Sequence, residues 1–188
     1  MSRTSKNGML DSLSASALKF IYRLRISGQS LVPASGPVIF HIEGDELLSG
    51  PALKAVAPRP VQFIVSGALN KVFLGRSQIL AGDISMEGFG FGAAEEAISV
   101  LKSGGSVAFV GEHPPLGYLV AASGAAIVPV RVTGAGGRVR TDPPKPGSPI
   151  SIVFEAPIEI AVQGDPCALA TVQEVAEQVR QARADAQA

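Results

Sequence analysis

The sequence predicts a single α/β domain in which helices flank a mostly parallel central sheet. Short β-rich runs alternate with stretches of helical spacing, the pattern of βαβ units. No repeat and no linker divides the chain. Its 188 residues, 46% of them hydrophobic, suffice for one domain with its own core. The expected organisation is an N-terminal amphipathic helix over 1–25, an α/β body over 26–162, and a C-terminal helix and tail of the same domain over 163–188.

Residues 9–24 set Leu10, Leu13, Ala17, Phe20, Ile21 and Leu24 at helical spacing. Lys19, Arg23 and Arg25 follow near the end, where cations offset the helix dipole. Such a helix either packs on the core or rests on a bilayer. Residues 37–41, Pro-Val-Ile-Phe-His, read as a buried strand. A helix over 46–57 is weakened by Gly50-Pro51, and 61–65 is a second strand. The glycine-rich stretch 75–92 leaves room for a short strand over 79–84. Residues 93–102 form the clearest helix, with Ala94, Ala97, Ile98 and Leu101 as its stripe and Gly104 placed to end it. A strand over 106–110, a helix over 116–123 ended by Gly124, and a strand over 126–132 come next. Residues 134–149, rich in Gly, Pro and charge, make a surface loop or hairpin. Residues 150–160 are β-rich, and Pro157 marks an edge. Asp165-Pro166 suits an N-cap and first-turn proline for a closing helix with Val172, Val175 and Val179 on one face.

The composition excludes several function classes. Sixteen basic residues balance sixteen acidic ones, so the basic excess of a nucleic-acid binder is absent. A mean hydropathy of +0.30 suits a protein that works beside lipid. The lone Cys167 cannot close an internal disulfide, and with only His41 and His113 as histidines no zinc site is expected. The longest apolar run, 118–130, is broken by Ser123, Gly124 and Pro129, and a spanning helix needs about 20 apolar residues. No signal-peptide pattern opens the chain. The expected location is cytoplasmic, with peripheral contact on the inner face of a membrane through residues 9–24.

The two histidines hold equivalent places. His41 ends one predicted strand and His113 lies just past another, and open α/β sheets bind ligands beyond the carboxyl ends of their strands. Glu43, Asp45 and Glu46 follow His41, and Glu112 precedes His113. A neutral imidazole oriented by a carboxylate is a general base for a hydroxyl; each histidine could equally be a partnered loop residue. Gly88-Phe-Gly-Phe-Gly92 follows no convincing strand and lacks a Walker lysine, so it is no phosphate cradle. Ser123 is no nucleophile elbow, because Gly-x-Ser-x-Gly is absent around it.

Residues 36–51, Gly-Pro-Val-Ile-Phe-His-Ile-Glu-Gly-Asp-Glu-Leu-Leu-Ser-Gly-Pro, resemble the histidine block of the glycerolipid acyltransferases, the lysophosphatidic acid acyltransferase type. Residues 97–109 are similar to the helix and strand that lead to that family's Pro-Glu-Gly block. Residues 119–130, Leu-Val-Ala-Ala-Ser-Gly-Ala-Ala-Ile-Val-Pro-Val, are similar to the small-residue helix and Val-Pro strand after it. The pieces occur in the family's order over residues 25–160.

The resemblance implies an acyltransferase of lipid metabolism, such as phospholipid biosynthesis. A fatty acyl group would move from an acyl thioester, acyl-CoA or acyl carrier protein, to a hydroxyl or amine of a lipid-like acceptor, with no tightly bound cofactor. His41 takes the role of base. Its orienting carboxylate is Glu46, after four intervening residues as in the family, or Asp45, after three. Gly111, Glu112 and His113 take the substrate-binding place. The family's Phe-Pro-Glu-Gly-Thr stands here as Phe109-Val-Gly-Glu-His113, and no arginine lies between Arg76 and Arg131. Phosphate recognition relies on arginine or lysine, so the implied acceptor is uncharged or weakly charged near its reacting group. These departures also fit a second expectation, a non-catalytic relative that binds acyl chains or a protein partner.

Overall fold

The computed structural model describes residues 18–43, 46–66, 84–86, 91–110, 116–139, 142–166 and 168–187. Its strands are β1 (Arg23–Ser27), β2 (Val38–Glu43), β3 (Gln62–Ser66), β4 (Ile84–Met86), β5 (Ser106–Val110), β6 (Ala126–Thr133) and β7 (Pro149–Phe154). Its helices are α1 (Ser49–Val56), α2 (Phe91–Lys102), α3 (Leu116–Ser123) and α4 (Leu169–Gln187).

Among the described residues the seven strands form one sheet in the order β1-β7-β6-β2-β5-β3-β4. Every neighbouring pair is parallel except β6 with β7. The expected mostly parallel sheet flanked by helices is therefore the observed architecture. β2 lies at its centre, with Val38, Ile39 and Phe40 fully buried, because a parallel strand covered on both faces needs a continuous apolar run rather than alternation.

Successive side chains of each strand serve opposite faces, and this divides the core. On one face Val38, Phe40 and Ile42 of β2 join Leu53 and Val56 of α1, Phe63 of β3 and Phe154 of β7. On the other, Ile39, Ile64, Val107 and Phe109 join Leu101 of α2, Leu119 and Val120 of α3, and Val175 and Val179 of α4. α3 and α4 meet closely. A Cβ placed on Gly117 would come within 2.7 Å of Ala176 Cβ and 2.8 Å of the Val172 carbonyl oxygen, so only glycine permits this approach.

Local chemistry explains the helix ends. Pro51 sits in the first turn of α1, where a backbone N–H has no intrahelical acceptor. Gly50-Pro51 therefore opens a helix that starts at Ser49, not at 46. α2 ends as expected: Gly104 adopts φ 80°, its N–H reaches the Leu101 carbonyl at 2.8 Å, and Gly105 N–H reaches that of Val100 at 2.9 Å.

Several expectations need correction. The N-terminal helix expected over 9–24, within segment 1–25, ends at residue 21, and β1 begins at Arg23. The cause is tertiary: Gly147 N–H bonds the Ile21 carbonyl at 2.8 Å and Arg23 N–H bonds that of Ser148 at 3.1 Å, after which β1 pairs with β7. Residues 1–17 lie outside the described residues. The edge inferred from Pro157 is not at β7, which is enclosed between β6 and β1. The chain past Phe154 instead bends beside β6, through Glu155 N–H to the Pro129 carbonyl at 3.0 Å and paired bonds between Ile127 and Ile158. α4 begins at Leu169, one turn beyond the cap expected at Asp165-Pro166. Of the strand expected over 79–84 only Ile84 is described, as the start of β4, and Cys167 lies outside the described residues. Residues 134–148 do connect the antiparallel pair β6 and β7.

Candidate active site at the carboxyl edge of the sheet

β2, β3, β5 and β6 run the same way, so their carboxyl ends share one edge. His41 lies near that edge on β2, opposite Phe109 of β5 and Pro129 of β6. Alternation along β2 turns it to the face of Ile39, the face covered by α2, α3 and α4. Ile39, Val107 and Ile127, one pleat below, have no solvent exposure. The imidazole thus stands over an apolar floor. His41 itself is half-buried, and its Nδ1 atom is buried.

One pleat above lies a charged layer on the same face. Glu43 of β2 stands opposite Arg131 of β6. The Arg131 guanidinium lies 3.6 Å from the Glu43 carboxylate and donates a hydrogen bond at 2.6 Å to Glu155. The Arg131 side chain is 49% exposed, against 17% for Glu43 and 19% for Glu155. Glu155 is held in place by its own N–H, bonded to the carbonyl of Pro129, the cross-strand neighbour of His41. Each ion pair is partly solvated, so its net contribution to stability is small.

Glu46 has a different engagement. Its Oε2 accepts the Ala135 N–H at 2.6 Å, while Leu48 N–H bonds the Ala135 carbonyl at 3.1 Å. Two bonds thereby clip the β2–α1 turn to the start of the β6–β7 connection. Ala135 belongs to the core layer of Phe40 and Leu53, on the sheet face opposite to that of His41. Asp45, Gly111, Glu112 and His113 lie outside the described residues. A depression of about 490 Å³ in the β6–β7 connection is lined by Arg138, Asp142 and Lys145 among others, and by none of the predicted site residues.

The structure therefore sets His41 between Phe109 and Pro129, one pleat from the layer of Glu43, Arg131 and Glu155. Sequence reasoning noted Glu43 but gave no role to Arg131 or Glu155. The alternation His41–Glu43 was the available signal for the charged layer. Its cation could be found only by knowing that β6 lies beside β2, and Glu155 only by knowing how the chain turns after β7.

No protein-family model matches the sequence, and no curated protein matches it. Among solved structures the chain is similar to the 1-acyl-sn-glycerophosphate (LPA) acyltransferase PlsC from Thermotoga maritima, with a TM-score of 0.59 and 16% identity. The similarity covers 97% of this chain and 82% of that one. At this identity the likeness establishes a common fold.

Proposed function

We propose that this chain is an acyltransferase that moves a fatty acyl group from an acyl thioester to a hydroxyl or amine of a lipid-like acceptor. The observation that carries this reading is His41, half-buried at the carboxyl edge over an apolar floor, on a fold shared with an acyltransferase. The fully buried residues beneath the imidazole close that side to solvent and give the base a fixed support.

In this reading Nε2 of His41 takes the acceptor proton as the oxygen or nitrogen attacks the thioester carbonyl carbon. A bond forms from acceptor to carbon and the carbonyl electrons move onto oxygen. When they return, the C–S bond breaks and the imidazolium gives its proton to the leaving thiolate. The products are an ester or amide and a free thiol. The orienting carboxylate comes from Asp45 or Glu46, and Gly111, Glu112 and His113 contribute to substrate binding. The donor is acyl-CoA or acyl carrier protein. Exposed Phe20 and Ile21 beside Lys19 and Arg23 support peripheral contact with a membrane.

The test is thiol release from palmitoyl-CoA or palmitoyl carrier protein with mixed acceptors. We expect acceptor-dependent release by the wild type and its loss in His41→Ala, with unchanged circular dichroism. Normal turnover by the variant would refute the assignment of the base. The engagement of Glu46 by Ala135 favours a second reading, a non-catalytic acyl-binding relative. That reading is supported if acyl chains bind saturably and no thiol appears with any acceptor.

A further inference from the structure

We infer that the acceptor at this site carries no phosphate beside its reacting group, and that Glu43, Arg131 and Glu155 enforce this selection in favour of a neutral alcohol or an amine. The inference rests on the proposed role of His41 as the reacting centre. Residues two apart on one strand face are separated by about 7 Å, so among the described residues the Glu43–Arg131 layer is the charged structure next beyond the imidazole on this face. An acceptor lying along β2 with phosphate on the carbon next to its reacting one would bring that phosphate toward this layer.

A guanidinium there would ordinarily recognise phosphate through paired N–H donors. Here its charge is shared with two carboxylates. Nη2 of Arg131 donates to Glu155 at 2.6 Å and Nε lies 3.6 Å from Glu43, so the three side chains sum to one negative charge. The carboxylates are the less exposed members, at 17% and 19%, and are less screened by salt than open surface charges. A phosphate drawn to Arg131 therefore also faces two carboxylates that already share that cation, and like charges brought together across an interface oppose binding. A hydroxyl or an ammonium meets no such conflict, because either can donate to the carboxylates.

The experiment compares 1-octanoylglycerol with 1-octanoylglycerol 3-phosphate, which differ by the phosphate alone. Each is titrated calorimetrically into the full chain below its micelle concentration. The wild type should bind the neutral lipid at least roughly tenfold more tightly. Glu43→Gln and Glu155→Gln preserve shape, remove one charge each and free the guanidinium, so each should narrow that ratio. The ratio is insensitive to a uniform loss of stability. Equal or tighter binding of the phosphate lipid by wild type, a ratio unmoved in both variants, or no saturable binding of either lipid would overturn the inference. Thiol release measured alongside keeps the two readings apart: selective binding without turnover counts against the acyltransferase, and turnover with preference for the phosphate lipid counts against the selectivity.

Discussion

At the scale of single residues, Glu46 separates an orienting role from an anchoring one. Its bond to the Ala135 amide involves an ionised acceptor, a kind that contributes about 1.5–3 kcal/mol when well formed. Glu46→Ala should therefore lower unfolding free energy by about 1–2 kcal/mol, read as a shift in denaturant midpoint. Glu46→Gln keeps an acceptor for the amide and should cost less than about 1 kcal/mol. If Glu46 also orients His41, the Gln variant loses about tenfold or more in kcat at near-normal stability; if Asp45 does, that loss appears in Asp45→Asn. His41 was legible because an apolar strand ending in histidine with carboxylates after it is a local pattern. Arg131 and Glu155 were not, because what places them near His41 is strand order, and neither the β6–β2 register nor the turn after Phe154 leaves a mark within a short window.

Among elements, those buried on both faces were the easiest to read. β2, β5 and β6 each carry an apolar run (38–40, 107–110 and 126–130), and α2 has a clean stripe with a glycine stop, so sequence and structure agree on them within a residue or two. β1 was misread because its side chains are nearly all exposed and continue a helical pattern. It is a strand only because β7 offers it a hydrogen-bonding edge, the usual override of local propensity by tertiary context. α3 and α4 meet closely at Gly117. Gly117→Ala puts a methyl into the Val172 carbonyl and Ala176, and α4 must then move, together with Val175 and Val179. Such overpacking costs about 1–3 kcal/mol. The check is the denaturant midpoint with an unchanged slope; a variant as stable as wild type would show that α4 shifts freely.

At the scale of the whole molecule, zero net charge conceals a local asymmetry. No acidic residue occurs over residues 12–42, which include Lys19, Arg23 and Arg25. Phe20 is 93% exposed there, with Ile21, Ile26 and Leu31 at 40–47%. Basic residues near an anionic bilayer contribute about 1 kcal/mol each, and an inserted phenylalanine about 1.5–3 kcal/mol. Phe20→Ser should thus weaken co-sedimentation with phosphatidylglycerol vesicles by about tenfold, and high salt should weaken it further. Equal sedimentation of variant and wild type would remove the membrane contact from the proposed function. Sequence reading anticipated this segment's amphipathic character but not its shape, because the capture of residues 21–27 by residues 147–153 spans most of the chain.

That capture also orders the molecule in time. Tyr22 donates its hydroxyl hydrogen bond to the Pro144 carbonyl 122 positions later, and β1 has β7 as its strand partner. A ribosome adding roughly 5–20 residues per second needs on the order of 6–24 s to supply that partner after Tyr22 has been made. Throughout this interval a basic, apolar segment waits unpaired while the strands at the centre of the sheet are completed. The pairing of β1 is therefore a late event in the making of the sheet, set by chain order rather than by the strength of its contacts.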